Sequence, residues 1–129
     1  MKLHHVALTV KDLEQSVGFY TSNFNLSVAF RFERLDMGAA AVFLSTGNSY
    51  LELWAFNDKK IGELTDLGVT GIKHVAFQSE DIESDYARLV KNGLKCQQVK
   101  EGKSGGKYFF THDLDGNQIE IYQNPMLQV

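Results

Sequence analysis

The chain has 129 residues, 43% hydrophobic and 22% charged, with a net charge of −3. That length and composition fit about one soluble globular domain, and the mild acidity excludes the basic footprint of a nucleic-acid binder. No run reaches a membrane span, and Cys96, the only cysteine, excludes an intrachain disulfide.

A lone cysteine fits a reducing compartment, and no basic-then-apolar leader precedes Leu3–Val10, so a cytoplasmic protein without a signal peptide is expected. Leu3–Val10 alternates as a strand, with Val6, Leu8 and Val10 on one face and His5, Ala7 and Thr9 on the other. Asp12 is a predicted N-cap with Gln15 three residues on, and Leu13, Val17 and Tyr20 recur at helical spacing, which predicts a helix over Leu13–Ser22. Leu26–Leu35 reads as a strand, Met37-Gly38 as a turn, Ala39–Ser45 as a strand and Thr46–Ser49 as a hairpin turn. Tyr50–Phe56 is the fourth strand, with Glu52 on the face of Tyr50, Trp54 and Phe56.

Asn57–Gly71, which includes Asp58, Lys59 and Lys60, is polar and glycine-punctuated and reads as a joint. The order then repeats. Ile72–Ser79 is a predicted strand, Asp81 caps a helix to about Asn92, and Gly93 stops it. Leu94–Lys100 is strand-like, Gly102–Gly106 a flexible loop, Lys107–His112 a strand, Asp115–Asn117 a hairpin turn and Gln118–Gln123 the last strand. The predicted organisation is one domain over 1–129, with one βαβββ module over about 1–57 and a second over about 71–125.

The repetition extends to single residues. His5 and His74 stand 69 residues apart, as do Asp12 and Asp81, while Glu52 and Glu120 stand 68 apart. Such recurrence of type, order and spacing marks a duplicated supersecondary unit. In all four strands the His or Glu lies opposite an apolar face: Val6/Leu8, Val75/Phe77, Leu51/Leu53 and Ile119/Ile121. Two neutral imidazoles and two carboxylates form a mixed donor set suited to a divalent first-row metal with room for water. Singly, each such residue is more often ordinary structure, as His4 and His112 illustrate; the matched four point to a metal site.

At HHVALTVKDLEQSVGFY, YLELW, IKHVAF and DLDGNQIEIY the chain resembles the vicinal oxygen chelate superfamily, the glyoxalase/bleomycin resistance/dioxygenase group, and within it glyoxalase I, or lactoylglutathione lyase. The resemblance covers almost the whole chain. It implies an α+β fold in which two βαβββ modules form a cup-shaped, eight-stranded mixed sheet. It also implies a homodimer whose metal sites draw His5 and Glu52 from one subunit and His74 and Glu120 from the other. The ion would be Ni, Co, Zn, Mn or Fe, acting as a Lewis acid on a small 2-oxo or thiohemiacetal substrate and stabilising an enediolate. Glu120 would be the catalytic base, with Glu52 able to act on the opposite face of the substrate, and Trp54, Phe56 and Tyr122 would wall the pocket. Relatives that cleave aromatic rings with Fe(II), or confer fosfomycin resistance, use two His and one Glu. Methylmalonyl-CoA epimerases typically carry Gln where Glu52 stands, so Glu52 favours the glyoxalase branch.

The departures bear on the substrate. Short bacterial glyoxalases place an Arg four residues after the first His ligand, where this chain has Thr9, and an Asn where it has Phe56. Lys103 lies one residue from a family anion-contacting position, and a solvated loop lysine is an equal reading of it. The glutathione adduct is therefore not required as the substrate. A ligand-sequestering protein of the same fold, taking an antibiotic or aromatic molecule without a metal, is the alternative from another class, and an Fe(II) ring-cleaving dioxygenase is a further one.

Overall fold

Each aspartate that follows a first strand starts a helix. In the computed structural model, which describes residues 1–58, 62 and 68–129, Asp12 is extended and its carboxylate accepts from the Gln15 backbone N–H at 3.0 Å. Asp81 accepts from the Ser84 N–H at 3.1 Å in the second copy. These bonds satisfy orphan donors of the first helical turn. Contacts divide the chain into two units, Met1–Gly62 and Glu63–Val129.

The first unit runs β1 (His5–Thr9), α1 (Leu13–Phe24), β2 (Ser27–Arg34), a 3₁₀ turn (Leu35–Met37), β3 (Ala39–Ser45) and β4 (Tyr50–Phe56). Its sheet has the order β1-β4-β3-β2, with β1 parallel to β4 and the other neighbours antiparallel. The helix extends past the predicted Ser22 to Phe24, because Asn25 takes the left-handed conformation (φ 55) that closes it. α1 packs on β3 and β4, and Val17, Tyr20, Val42, Leu44, Leu51 and Leu53 are buried. These are the helical 3.6-period residues and one parity of the strands, so the opposite parity is left to face away from the helix.

The second unit runs β5 (His74–Gln78), α2 (Ile82–Lys91), β6 (Lys100–Glu101), β7 (Lys107–His112) and β8 (Gln118–Gln123), in the sheet order β5-β8-β7-β6. Ile82 and Leu89 of α2 and Phe109, Ile119 and Ile121 of the sheet are buried, and Tyr86 meets Phe109 edge to face at 5.3 Å. Among the described residues, the eight strands, four to a sheet, and the α+β class agree with the sequence.

One local expectation needs correction. The stretch read as a strand over Leu94–Lys100 pairs only from Lys100. Before that, a single backbone bond (Gln97 N–H to the Phe110 carbonyl, 2.8 Å) and the Thr111 hydroxyl on the Lys95 carbonyl (3.0 Å) hold it along β7 without a ladder. The glycine loop is a closed turn: Gly102 N–H donates to the Gly106 carbonyl at 2.7 Å and Gly105 N–H to the Gly102 carbonyl at 3.0 Å. Within the joint, Lys59 and Lys60 lie outside the described residues, while Gly71 is left-handed (φ 129).

Candidate metal centre

Strand register places the four expected donors as two equivalent pairs, one in each unit. In the first unit Ala7 of β1 is the direct partner of Glu52 on β4, and in the second Ala76 of β5 is the partner of Glu120 on β8. The histidine two residues before each alanine shares its face and leans along the strand toward the carboxylate. His5 Nε2 lies 3.5 Å from Glu52 Oε2, and His74 Nε2 lies 3.0 Å from Glu120 Oε2.

Burial differs sharply within each pair. The His5 and His74 side chains are 41% and 35% exposed, whereas those of Glu52 and Glu120 are only 9% and 16% exposed. The carboxylate is thus the buried member of each pair and the imidazole the exposed one. Each histidine is also met by a phenylalanine that alternation alone had not singled out. Phe43 pairs with Glu52 across β3–β4, and Phe110 with Glu120 across β7–β8. The Phe43 ring stands edge to face on His5 at 5.4 Å, and the Phe110 ring on His74 at 5.4 Å. The sequence signal was present, since the two phenylalanines recur 67 residues apart, but it needs the cross-strand register to be read.

The expected pocket residues fall in different settings. Thr9 lies on the His5 face of β1 and pairs with Trp54. Trp54 stacks on Phe56 at 6.0 Å and meets Phe32 edge to face at 5.2 Å, and Phe32 in turn stacks on Phe30 and Phe43. In the second unit the Tyr122 hydroxyl bonds Ser104 Oγ at 2.9 Å and accepts from Asn124 Nδ2 at 2.8 Å. Lys103 is exposed on the β6–β7 turn. Arg34, at the end of β2, forms a two-bond fork with Asp36, which holds that carboxyl below its usual range and raises the guanidinium. A cavity of about 160 Å³ at the ends of β5 and β8 is lined by Gln78, Gln123, Asn124 and their neighbours, and by none of the His or Glu donors. Its amides hold the chain: Gln123 bonds Glu80 and Ile82, and Gln78 accepts from the Val129 N–H.

The donor chemistry of each pair fits a divalent ion. Two donors about 2.1 Å from a metal and at right angles lie about 3.0 Å apart. The His74–Glu120 separation equals that edge and His5–Glu52 is slightly wider. One pair supplies one nitrogen and one oxygen, short of the three protein ligands usual in catalytic sites. Among the described residues no group of three or more His, Cys, Asp or Glu side chains is brought together.

Residues 2–121 match the model of the Glyoxalase/Bleomycin resistance protein/Dioxygenase superfamily. The chain belongs to this superfamily. Among curated relatives, the ethylmalonyl-CoA/methylmalonyl-CoA epimerase of Cereibacter sphaeroides is 28% identical over 95% of this chain and 97% of its own length. The mitochondrial methylmalonyl-CoA epimerase of Homo sapiens is 29% identical over 95% of this chain and 73% of its own. Among solved structures, the glyoxalase I of Leishmania major, described as trypanothione-dependent, superposes with a TM-score of 0.78 at 25% identity, covering 95% of this chain and 86% of that one. The superfamily and the α+β class read from the sequence are thereby established, and the relatives it matches include epimerases and a glyoxalase I. No described helix is long and apolar enough to cross a membrane.

Proposed function

We propose that this protein is a metal-dependent isomerase of glyoxalase I type that moves a proton at a carbon acid beside a carbonyl, working as a homodimer. The observation that carries the reading is the repetition of one His–Glu pair in the same register in both units. His5 and Glu52 of one protomer and His74 and Glu120 of the other would hold one divalent ion, the two carboxylates offsetting its charge and the imidazoles binding as neutral rings. When bound, such an ion supplies Lewis acidity toward two vicinal substrate oxygens.

The remaining work falls to the chain itself. Glu120 takes the proton from carbon and returns it to the neighbouring position, which requires its oxygen within hydrogen-bond reach of that proton. Glu52 is the second carboxylate, available to the opposite face of the substrate. The small Ala7 and Ala76 beside these carboxylates leave space for a reacting carbon. Trp54, Phe56 and Phe32 give one wall an apolar surface that excludes water from the developing charge. Substrates in this class are small 2-oxo compounds and thiohemiacetals, and the epimerases among the relatives extend the test to thioesters, whose epimerisation needs the same proton removal.

The deciding experiment combines metal analysis with a turnover screen across methylglyoxal with several thiols, methylmalonyl-CoA and catechols. One divalent ion per chain, turnover of a carbon acid, and loss of both in Glu52→Ala and His74→Ala support the proposal. Unchanged metal affinity in both variants refutes the site. A second reading, a non-enzymatic binder of flat apolar ligands, draws support from the continuous run of rings from Phe30 to Phe56. It is distinguished by tight ligand binding that survives Glu120→Gln without metal. Oxygen uptake with a catechol would instead indicate the ring-cleaving branch.

A further inference from the structure

His4 lies just outside β1, yet its ring meets His5: the two Nδ1 atoms are 2.9 Å apart and the rings cross at 87°. Neighbouring residues within a strand point to opposite faces. His4 escapes that alternation because it precedes the strand. Its carbonyl accepts the Tyr50 N–H at 2.9 Å, and its ring lies against Tyr50 at 5.1 Å. The imidazole is thus pinned from two directions while staying exposed.

A neutral imidazole carries one N–H and one lone pair. An Nδ1···Nδ1 bond therefore requires one ring to donate and the other to accept. If His4 donated, the His5 proton would sit on Nε2, the atom that faces Glu52, and no lone pair would be left there. If His5 donates, its Nε2 keeps the lone pair, and the His4 proton sits on its own Nε2 in the exposed ring. Only the second arrangement leaves His5 able to bind a metal through the atom aimed at Glu52.

We propose that His4 is a positioning residue: it accepts the Nδ1–H of His5, fixing the tautomer and ring orientation in which His5 Nε2 serves as a metal donor. The proposal rests on the metal reading given above. Histidine ligands generally donate their second N–H to an oriented acceptor, and loss of that acceptor weakens metal binding about 10- to 100-fold. The two units differ in a way that supports the assignment. The counterpart of His4 in the repeat is Lys73, whose ammonium has no lone pair to offer. The second unit instead has the closer carboxylate, at 3.0 Å from His74 against 3.5 Å for His5. The wider pair is the one with the imidazole neighbour.

The test is a long-range ¹H–¹⁵N spectrum of histidine-labelled protein without metal, at about pH 8, where free imidazoles are neutral, alongside Zn(II) titration. The variants are His4→Phe, which keeps the ring against Tyr50 and removes the acceptor, and His4→Gln, which restores one. Expected are the Nδ1–H form of His5 in wild type, its loss in His4→Phe with about 10- to 100-fold weaker Zn(II) binding, and recovery of both in His4→Gln. A wild-type His5 in the Nε2–H form, or a His4→Phe variant with unchanged tautomer and affinity, overturns the proposal. Should wild type bind no Zn(II), Ni(II) or Co(II), the metal reading fails separately, and the metal-free spectrum still decides whether His4 sets the tautomer.

Discussion

Gly106 is the position where a single methyl group should be most disruptive. A Cβ there would stand 2.9 Å from the Gln123 carbonyl oxygen, 3.0 Å from Asn124 Cβ and 3.1 Å from a Tyr122 ring carbon. Two of these neighbours are backbone or backbone-proximal and cannot swing aside, so Gly106→Ala acts as overpacking and should cost about 1–3 kcal/mol. For 129 residues the unfolding entropy near the midpoint is about 0.27 kcal/mol/K, which converts this to a Tm lower by about 4–11 °C. Gly18 provides the opposite sign. It lies within α1, and a Cβ there meets nothing within 4 Å, so Gly18→Ala should stabilise by about 0.5–1 kcal/mol, or about 2–4 °C. Both are read by thermal unfolding at one protein concentration, since an oligomer's Tm depends on it. A Gly106→Ala protein as stable as wild type would refute the close-approach argument. A destabilised Gly18→Ala would refute the open helix face.

The other expectations are these. Phe43→Leu and Phe110→Leu each remove an edge-to-face contact with a histidine, and should weaken metal binding about 2- to 13-fold (about 0.5–1.5 kcal/mol) in chelator competition; no change in either would remove the rings from the site. Asp113→Ala deletes a buried carboxylate that accepts from Asp115 N–H, Asn117 N–H and Asn117 Nδ2, and should lower stability by at least about 1.5–3 kcal/mol in urea. Burial pushes the Cys96 thiol up from its ordinary 9.0, so iodoacetamide should modify it more slowly than a free thiol at about pH 8; the stability this contributes is complete below pH 9.0 and is lost as pH rises through the folded value, and a reaction as fast as a free thiol's would contradict it. Activity with the glutathione hemithioacetal should be poor, because Thr9 supplies no charge where the short bacterial glyoxalases that the sequence resembles place an Arg. Thr9→Arg should then recover about ten- to a hundredfold (about 1.5–3 kcal/mol) in kcat/KM at unchanged metal content, and no gain would point to another substrate class.

Much of this was legible in the residues because the informative signals are local. Asp12 announces its helix together with Gln15 three places on, Asp81 announces its own as a capping residue after a strand, and the alternation in Tyr50–Phe56 and Gln118–Gln123 assigns each glutamate a face. The duplication then ties four isolated residues into two pairs. The failures occur where structure depends on a distant partner. Leu94–Lys100 alternates like a strand, but a ladder needs repeated backbone partners, and β7 offers it only one such bond before Lys100. The contact of Phe43 with His5 cannot be read from the recurrence of the two phenylalanines alone, because it depends on the registers β3–β4 and β1–β4 together. The contact of His4 with His5 is unreadable for a related reason, since His4 stands outside the ladder that enforces parity.

The two units preserve one row of residues and change the next. The preserved row reads Ala7–Glu52–Phe43 in the first unit and Ala76–Glu120–Phe110 in the second. The adjacent row is Thr9–Trp54–Ala41–Phe32 in the first, largely apolar, and Gln78–Tyr122–Tyr108–Lys100 in the second, with hydroxyls, an amide and a cation. Metal donors tolerate displacements of only a few tenths of an ångström, so a duplicated metal site constrains the donor row in both copies alike. Walls carry no such restriction. Under the proposed function, substrate choice would therefore reside in the second row of each unit. Thr9 belongs to the apolar row of the first unit, where under that reading the charge of glutathione would meet no complement, and Thr9→Arg is the single change that tests it.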